Sequence, residues 1–600
     1  MKRFLAFLII GSSLFTVQAQ QDKRLKGLEK ELNTVLETWN AAGFAVAVVE
    51  KNKVIYAKGF GYRDYENKIP VTPNTLFAIG SCSKAFTTSV LGILESEGKL
   101  SLDDSPSKFV PELRFFNNEM NNSIIIKDLM AHRTGLPRHD FSWYFFPSDS
   151  KMDLVKRIAY QEPFTGVRQT WYYNNFMFLL QGVIAEEITG VSWEENVREK
   201  IFKPLNMNRS NFTIEEWLKE EDRAVGYALD KGNTIKKIDY YDIAGMSPAG
   251  SINSSVNEMA NWLRTWIYGG KFNGKEILPN AFTNQASSSQ MVVGSGYPDK
   301  ETPGLYFANY GYGWFLSSYK GHYRVEHGGN IDGFSASTSF YPSDSLGIVV
   351  LTNQNGSSIP SVVRNIISDR MLGVDQTDWN KMLKERRDKA MEQQKEVNAN
   401  KNSNRAENTK PSHKLADYTG NYNHPGYGTF KVMAENDSLF AQFTRKKLWL
   451  RHYHYEVFEP FEVTDEGIDT TENSPLKINF LISPSGEVSG AEIPLEASLD
   501  PFVFNRSDVE VELASEVLKK YVGEYQLGGV TPKVYLKGES TLYLFMPGQP
   551  EYELVPNGEH TFSIKILSGY KVQFIENEDK TITEMLFIQP NGTFKATKKH

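Results

Sequence analysis

The chain has 600 residues, a formal net charge of −7, 40% apolar and 23% charged residues. This is the composition of a soluble globular protein, long enough for about four domains of roughly 150 residues. It excludes the excess of positive charge on which nucleic-acid binding rests, and a single cysteine, Cys82, excludes an internal disulfide.

The first element is a targeting signal. Lys2 and Arg3 precede an apolar run, FLAFLIIGSSLF (residues 4–15), too short to span a bilayer. Val17-Gln18-Ala19 supplies the small residues of a cleavage site, so residues 1–19 read as a signal peptide and the mature chain begins near Gln20. An uncleaved anchor is the alternative. No cysteine lies near the cleavage site to take a lipid, and no later apolar run is of spanning length. The expectation is an exported protein, periplasmic or secreted, with no stable membrane insertion after cleavage.

LKGLEKELNTVLETW (residues 25–39) has helical spacing, and GFAVAVVEKNKVIYAKGFGYRD (residues 43–64) alternates as two strands turning at Lys51-Asn52-Lys53. Phe86, Val90, Leu91, Ile93 and Leu94 then predict a helix over 83–97, stopped by Gly98. Residues 100–345 mix helices with loops rich in Gly, Ser, Asn and Pro, and end in the strand-like runs ASTSFYP and LGIVVLTN before a helix, SVVRNIISDRML. Residues 378–410 are charged and nearly free of β-formers, which predicts a helix to about Val397 and then a flexible linker. Beyond Lys414 the pattern becomes short alternating strands with an internal repeat. LADYTGNY (Leu415–Tyr422) matches LKKYVGEY (Leu518–Tyr525), which predicts two related β units closed as small barrels or sandwiches. Aromatics make up 13% of the chain, as such units require.

Candidate chemistry begins at the start of the 83–97 helix. The stretch IGSCSKAF (residues 79–86) offers Ser81, Cys82 and Ser83 as nucleophiles. Residues three apart share a helix face, so Ser81 lies against Lys84, and a lysine of lowered pKa can serve a serine as its base. Free N–H groups at the helix start can receive an oxyanion. Cys82 points off that face and packs as a small apolar residue. A second element, Tyr173-Asn174-Asn175, precedes a helix with Phe176, Leu179, Leu180 and Ile184 on one side; it can set a phenol and an amide on one rim. A third, His327-Gly328-Gly329, follows a strand-like run, its glycines allowing close approach of the backbone to a substrate. His327 can orient a base or bind a substrate carboxylate. Taken singly, each has an ordinary structural explanation: a helix start, a capping asparagine, a glycine-rich turn.

Taken together and in this order, Ser-x-x-Lys, Tyr-x-Asn and His-Gly-Gly resemble the penicillin-recognising serine hydrolases: class C β-lactamases, D-aminopeptidases, DD-peptidases and related esterases. FAIGSCSKAFTTSVLGILESEGKLSLDD resembles that family's nucleophile helix and its exit, IKDLMAHRTGLPRHD its Leu-x-x-His-x-Ser/Thr-Gly-Leu segment, and SPAGSINSSVNEMANWL its Pro-Ala-Gly-Gly-Leu segment. The resemblance spans residues 25–375. It implies an α+β fold, an antiparallel sheet flanked by helices, over residues 20–376. A charged helical linker at 377–412 and two all-β units, lipocalin-like barrels or sandwiches at 413–508 and 513–600, would follow. It implies Ser81 as acylated nucleophile, Lys84 and Tyr173 as bases, Asn175 on the substrate amide, His327 at the substrate, and Gly329 keeping the neighbouring strand open. The backbone N–H of Ser81, with one just after Gly329, would form the oxyanion hole.

The expected activity is that of an exported peptidase or esterase working through a Ser81 acyl-enzyme, on a small-molecule or peptide substrate, with no cofactor, no metal and no nucleic acid, and with a homo-oligomer left open. Two departures bear on it. His replaces the Lys of many relatives in the third motif, and a mostly neutral imidazole suits a β-lactam carboxylate less well than a permanent cation. Asn174 replaces a commoner Ser or Ala. The alternatives are a true β-lactamase or penicillin-binding DD-peptidase, and a non-catalytic sensor that keeps the fold. His132, His139 and Asp140 fit no zinc spacing, and the histidines of HYHYE (residues 452–456) fall on a strand pattern that needs no ligand.

Overall fold

The structure is a computed structural model that describes residues 22–230, 233–294, 304–400, 404–470, 474, 476–508, 512–538, 540–558, 560–567, 569–589 and 591–599. The signal segment expected at 1–19 lies outside the described residues. The chain divides into two compact units. The first comprises Met1–Leu113, Glu119–Gly135 and Thr165–Gln393; the second comprises Arg114–Asn118, Leu136–Phe164 and Gln394–His600. Among the described residues no helix is long and apolar enough to cross a membrane.

The first unit is built on a nine-stranded sheet, antiparallel throughout. Its spatial order is Met291–Gly294, Ala308–Tyr310, Phe315–Tyr319, His322–Ile331, Phe334–Tyr341, Leu346–Thr352, Gly43–Glu50, Lys53–Asp64 and Ile69–Pro70. Gly43–Glu50 is apolar and buried on both faces because helices cover both. Successive side chains alternate across a strand. Phe44, Val46 and Val48 therefore enter one core with Leu28, Leu32 and Val35 of helix Leu28–Thr38 and with Ile359 and Val363 of helix Ile359–Leu372. The intervening Ala45, Ala47 and Val49 are mostly small, and helix Val256–Ile267 packs on this strand and on Leu346–Thr352.

The expected helix after the Ser-x-x-Lys motif runs from Lys84 to Ser96 and is preceded by a 3₁₀ turn, Gly80–Ser83. Every residue from Lys84 to Leu94 is buried, so this helix is central to the unit. Phe86 stacks on Trp262 with ring centroids 3.9 Å apart, and a Cβ at Gly92 would strike the Phe282 ring at 2.3 Å. The helix packs against Phe176–Thr189, while strand His322–Ile331 lies against the Gly80–Ser83 turn. The three sequence motifs thus sit on three elements that meet.

The second unit holds two closed, eight-stranded, antiparallel barrels. The first runs from Gly420–His424 to Phe502–Ser507 and closes where Lys447–His454 pairs with Val457–Thr464. The second runs from Gly523–Gln526 to Gly592–Lys598 and closes through its first and last strands. Of the two closures read from the sequence, barrel and sandwich, the barrel is the one formed. The repeat has a structural reason: the Tyr422 hydroxyl donates to the carbonyl of Tyr418 (2.7 Å), and the Tyr525 hydroxyl donates to that of Tyr521 (2.8 Å). Each bond ties the first strand to the turn that enters its barrel, and all four rings are fully buried.

Two features depart from the expected domain plan. The sequence reading keeps 136–164 within the first domain, yet these residues cluster with the second unit, and Phe146 is part of the first barrel's core. A Cβ at Gly428 (φ +127°) would meet the Phe146 ring at 3.0 Å, so glycine makes room for this insertion. Ser142 donates to Gly426 O (2.6 Å), and buried His139 bridges Tyr427 Oη (2.9 Å) and Glu162 O (3.0 Å). The charged segment forms a helix, Trp379–Asn400, whose start is anchored rather than free: Trp379 and Leu383 pack on the first unit's core, and Trp379 Nε1 donates to Asp369 (2.7 Å). Residues 401–403 of the expected linker lie outside the described residues.

Because each tyrosine hydroxyl bond is buried, Tyr422→Phe and Tyr525→Phe should each cost about 1 kcal/mol. Denaturant unfolding followed by tyrosine fluorescence should show a lowered midpoint for each. Unchanged midpoints would remove the assigned role from this bond.

Candidate active site

The 3₁₀ turn sets the first contact. In a 3₁₀ helix residues three apart eclipse one another, which stacks Ser81 directly beneath Lys84. Lys84 Nζ lies 3.0 Å from Ser81 Oγ. The lysine is fully buried, and its nitrogen also donates to Asn175 Oδ1 and to the carbonyl of Ala249, both at 2.7 Å. Two aromatic rings also lie beside it, with the Tyr173 ring centroid 4.8 Å and the Phe178 centroid 5.2 Å from Nζ.

Tyr173-Asn174-Asn175 enters helix Phe176–Thr189 with its two amides divided between tasks. Asn174 Oδ1 accepts the N–H of Met177 (3.3 Å) and so caps the helix. Asn175 makes no cap bond and turns to Lys84 instead. The structural role that an asparagine here suggests is thus carried by the middle residue. His132, the histidine of the Leu-x-x-His-x-Ser/Thr-Gly-Leu segment and a rejected metal-ligand candidate, supports this segment. Its Nδ1 accepts the N–H of Asn174 (3.2 Å), its carbonyl accepts the N–H of Tyr172 (3.0 Å), and its ring lies 4.4 Å from that of Tyr173. His139 and Asp140 belong to the second unit, and the described residues contain no cluster of three or more metal-ligating side chains.

His327 is buried, and both of its ring nitrogens are engaged within the protein. Nδ1 lies 2.6 Å from Gly328 O, which can only accept, so Nδ1 carries the proton; Nε2 then accepts from Tyr310 Oη at 3.0 Å. Burial, helped by the nearby charge of Lys84, pushes this histidine down to about 3, so the ring is neutral across the physiological range. Burial also holds the Tyr310 phenol well above its ordinary value. Tyr310 had no sequence signal, because nothing in FANYGYGWF distinguishes it from a core tyrosine. The Ala249 carbonyl likewise carries no local mark as a ligand, although it lies in the Pro-Ala-Gly-Gly-Leu-like segment.

Glycines bring two backbones together beside Ser81. A Cβ on Gly329 would lie 1.9 Å from Ile79 O and 3.1 Å from Ser81 N, and a Cβ on Gly80 (φ +50°) would lie 2.8 Å from Asn330 N. Only glycine permits this approach. Ser83 Oγ accepts the N–H of Ile252 (3.1 Å) and is fully buried. Cys82 is buried with Sγ 3.2 Å from His327 O, and burial pushes its thiol up to about 12. It is therefore protonated and a poor nucleophile at neutral pH. Of the three candidates, Ser81 alone faces Lys84 and is not fully buried.

The family model described as Beta-lactamase matches residues 28–366, and one described as Domain of unknown function (DUF3471) matches residues 404–506. The unguisins hydrolase ungD' of Aspergillus campestris is 28% identical over 436 residues, covering 68% of this chain and 77% of that protein. Protein flp of Staphylococcus aureus (strain COL) is 26% identical over 346 residues, 56% of this chain and 66% of that protein. Among solved structures, the octameric penicillin-binding protein homologue from Pyrococcus abyssi shares the fold with a TM-score of 0.54 at 22% identity, covering 80% of this chain and all of that one. With the family match spanning more than half of its length, the chain belongs to the Beta-lactamase family of serine hydrolases.

Proposed function

We propose that the protein is an exported peptidase or esterase that cleaves an amide or ester through an acyl-enzyme on Ser81. The observation that carries this reading is the position of Lys84 Nζ, fully buried and 3.0 Å from Ser81 Oγ. Asn175 Oδ1 and Ala249 O are acceptors, so each holds one proton of the lysine. The third direction on the nitrogen faces Ser81, where an ammonium donates and a neutral amine accepts. In the amine form Lys84 takes the serine proton as Oγ attacks the carbonyl. Tyr173, its ring beside the same nitrogen, is the second base: its phenol gives its proton to the leaving group, the resulting phenolate takes a proton from the hydrolytic water, and the Lys84 ammonium returns its proton to Ser81 Oγ as the acyl group departs. Asn175 contacts the substrate amide, and the N–H groups of Ser81 and Asn330 receive the oxyanion across the Gly329 contact.

A neutral His327 favours this reading over a true β-lactamase. The family member with Lys at this place presents a permanent cation to a substrate carboxylate, and the buried imidazole presents none. We assign His327 to holding the strand and Tyr310 in place beside Tyr173. The name of the A. campestris relative, a hydrolase, supports hydrolysis as the reaction, and the octamer named for the P. abyssi protein makes a homo-oligomer part of the proposal.

Ser81→Ala and Lys84→Ala should each lower hydrolysis of a p-nitrophenyl ester by ~10³-fold or more, while Cys82→Ser stays within threefold. A fluorophosphonate probe should leave its adduct on Ser81; an adduct on Cys82 would overturn the mechanism. Gly329→Ala should lose ~10²-fold in turnover, because the new methyl group displaces the backbone that receives the oxyanion. Nitrocefin should be turned over far more slowly than the ester, and the opposite order would restore the β-lactamase reading.

The pH dependence has a defined sign. His327 is held below its unfolded value of about 6.5, so between about 3 and 6.5 the unfolded chain binds the extra proton. The stability owed to the neutral ring is complete above about pH 6.5 and is lost as pH falls towards 3. Thermal melting should therefore decline from pH 6.5 to pH 4, and His327→Asn should reduce that decline, the remainder being owed to His139 and His424, which burial also holds down to about 4. A parallel decline in the variant would remove His327 as its source.

A further inference from the structure

Asp128 lies on the short helix Ile126–Met130 and is fully buried, yet the mechanism above makes no use of it. Its carboxylate accepts four N–H groups. Oδ1 takes Nε of Arg133 (2.6 Å) and Nε of Arg168 (2.9 Å), and Oδ2 takes Nη2 of Arg168 (2.6 Å) and the backbone N–H of Ile125 (3.0 Å). The two arginines stand on either side of the insertion, at the two places where the chain leaves and rejoins the first unit.

Backbone bonds lace these two ends together. The N–H of Thr165 donates to Gly135 O (3.4 Å), that of Arg168 to Arg133 O (2.7 Å), and that of Tyr172 to His132 O (3.0 Å). The last tie is the N–H of Asn174 to His132 Nδ1 (3.2 Å), so Tyr173 sits between two residues bonded to the same histidine. Two members of this ladder hold a backbone that a Cβ disfavours: His132 has φ +53° and Arg168 φ +65°. Such conformations persist where the surroundings over-determine them, and they gather at functional sites. The bonds of both guanidinium groups to one buried carboxylate supply that constraint, fixing residues 133 and 168 and with them the flanks of His132.

We propose that Asp128 is a positioning residue for the reaction: through Arg133 and Arg168 it holds His132, and His132 holds the Tyr173 phenol in line with the leaving group. The proposal rests on the reading of Tyr173 as the donor of the leaving-group proton. Asparagine at 128 keeps the shape but turns an NH₂ group onto a guanidinium, so at least one arginine is released. A displacement of the phenol by about 1 Å is enough to cost ~10²-fold in rate.

The test uses the full chain and two esters of one acid, a p-nitrophenyl ester and an ethyl ester, with active sites counted by fluorophosphonate labelling. p-Nitrophenolate leaves as an anion, whereas ethoxide needs a proton. Asp128→Asn should keep kcat/KM for the p-nitrophenyl ester within about threefold and lower it for the ethyl ester by ~10²-fold. Tyr173→Phe should show the same selectivity. Arg168→Gln, at a partly exposed side chain, should show it at ~10-fold and serves where Asp128→Asn fails to fold. Equal losses on the two esters, or none, in the Asp128 and Arg168 variants would overturn the positioning role if Tyr173→Phe is selective. A non-selective Tyr173→Phe would instead overturn the role of the phenol, and this proposal with it.

Discussion

A fully buried lysine is the constraint around which the first unit is arranged. Removing an ammonium from water costs several kcal/mol even after relaxation, so Lys84 persists only because protein dipoles replace its hydration. Three different parts of the chain supply them: the Ser81 hydroxyl three residues back, the Asn175 side chain at a helix start, and the Ala249 carbonyl. Each donor of an ammonium thus has an acceptor, and one of those acceptors is the nucleophile. The same contacts that make the lysine tolerable to the fold also aim it at its partner. Loss of any one would leave a buried charge less satisfied and would loosen the site together with its chemistry.

Electrostatic economy extends one layer outward. The site has one strongly basic side chain, and three titratable groups near it are kept uncharged. His327 is deprotonated and saturated by Tyr310 and Gly328, Tyr310 is held as a phenol, and Cys82 is held as a thiol. A second cation beside Lys84 would weaken the tendency of either to stay protonated, and a second anion would compete with Ser81 for it. The rings of Tyr173 and Phe178 lie beside the lysine nitrogen, and the His132 ring lies against that of Tyr173.

The sequence made this much legible because the chemistry is carried by short, spaced motifs on periodic elements. Ser81 and Lys84 are three residues apart on one helix, so their meeting needed no tertiary information. Tyr173 and His327 were found by motif order, through resemblance to a family. The barrels announced themselves through the repeated Tyr-x-Gly-x-Tyr, whose tyrosine bond recurs in both copies. What stayed hidden depended on contacts between distant segments. Tyr310 and the Ala249 carbonyl carry no local mark of their roles. Nor did the division of labour in which Asn174 caps the helix and Asn175 is released to the lysine, since spacing alone cannot tell which of two adjacent amides bonds to the backbone.

The insertion that contributes Phe146 gives the chain an interleaved architecture. The second unit is not a tail that can be added to or taken from a hydrolase at a linker. Its first barrel draws part of its filling from a loop encoded some 270 residues earlier, between Gly135 and Thr165. A fragment beginning after the helix Trp379–Asn400 would therefore fold with an aromatic gap in its core, and a hydrolase shortened at the same point would expose the rings that fill it. A substitution that alters the barrel's lining around Phe146 therefore acts also on the loop that supplies that ring.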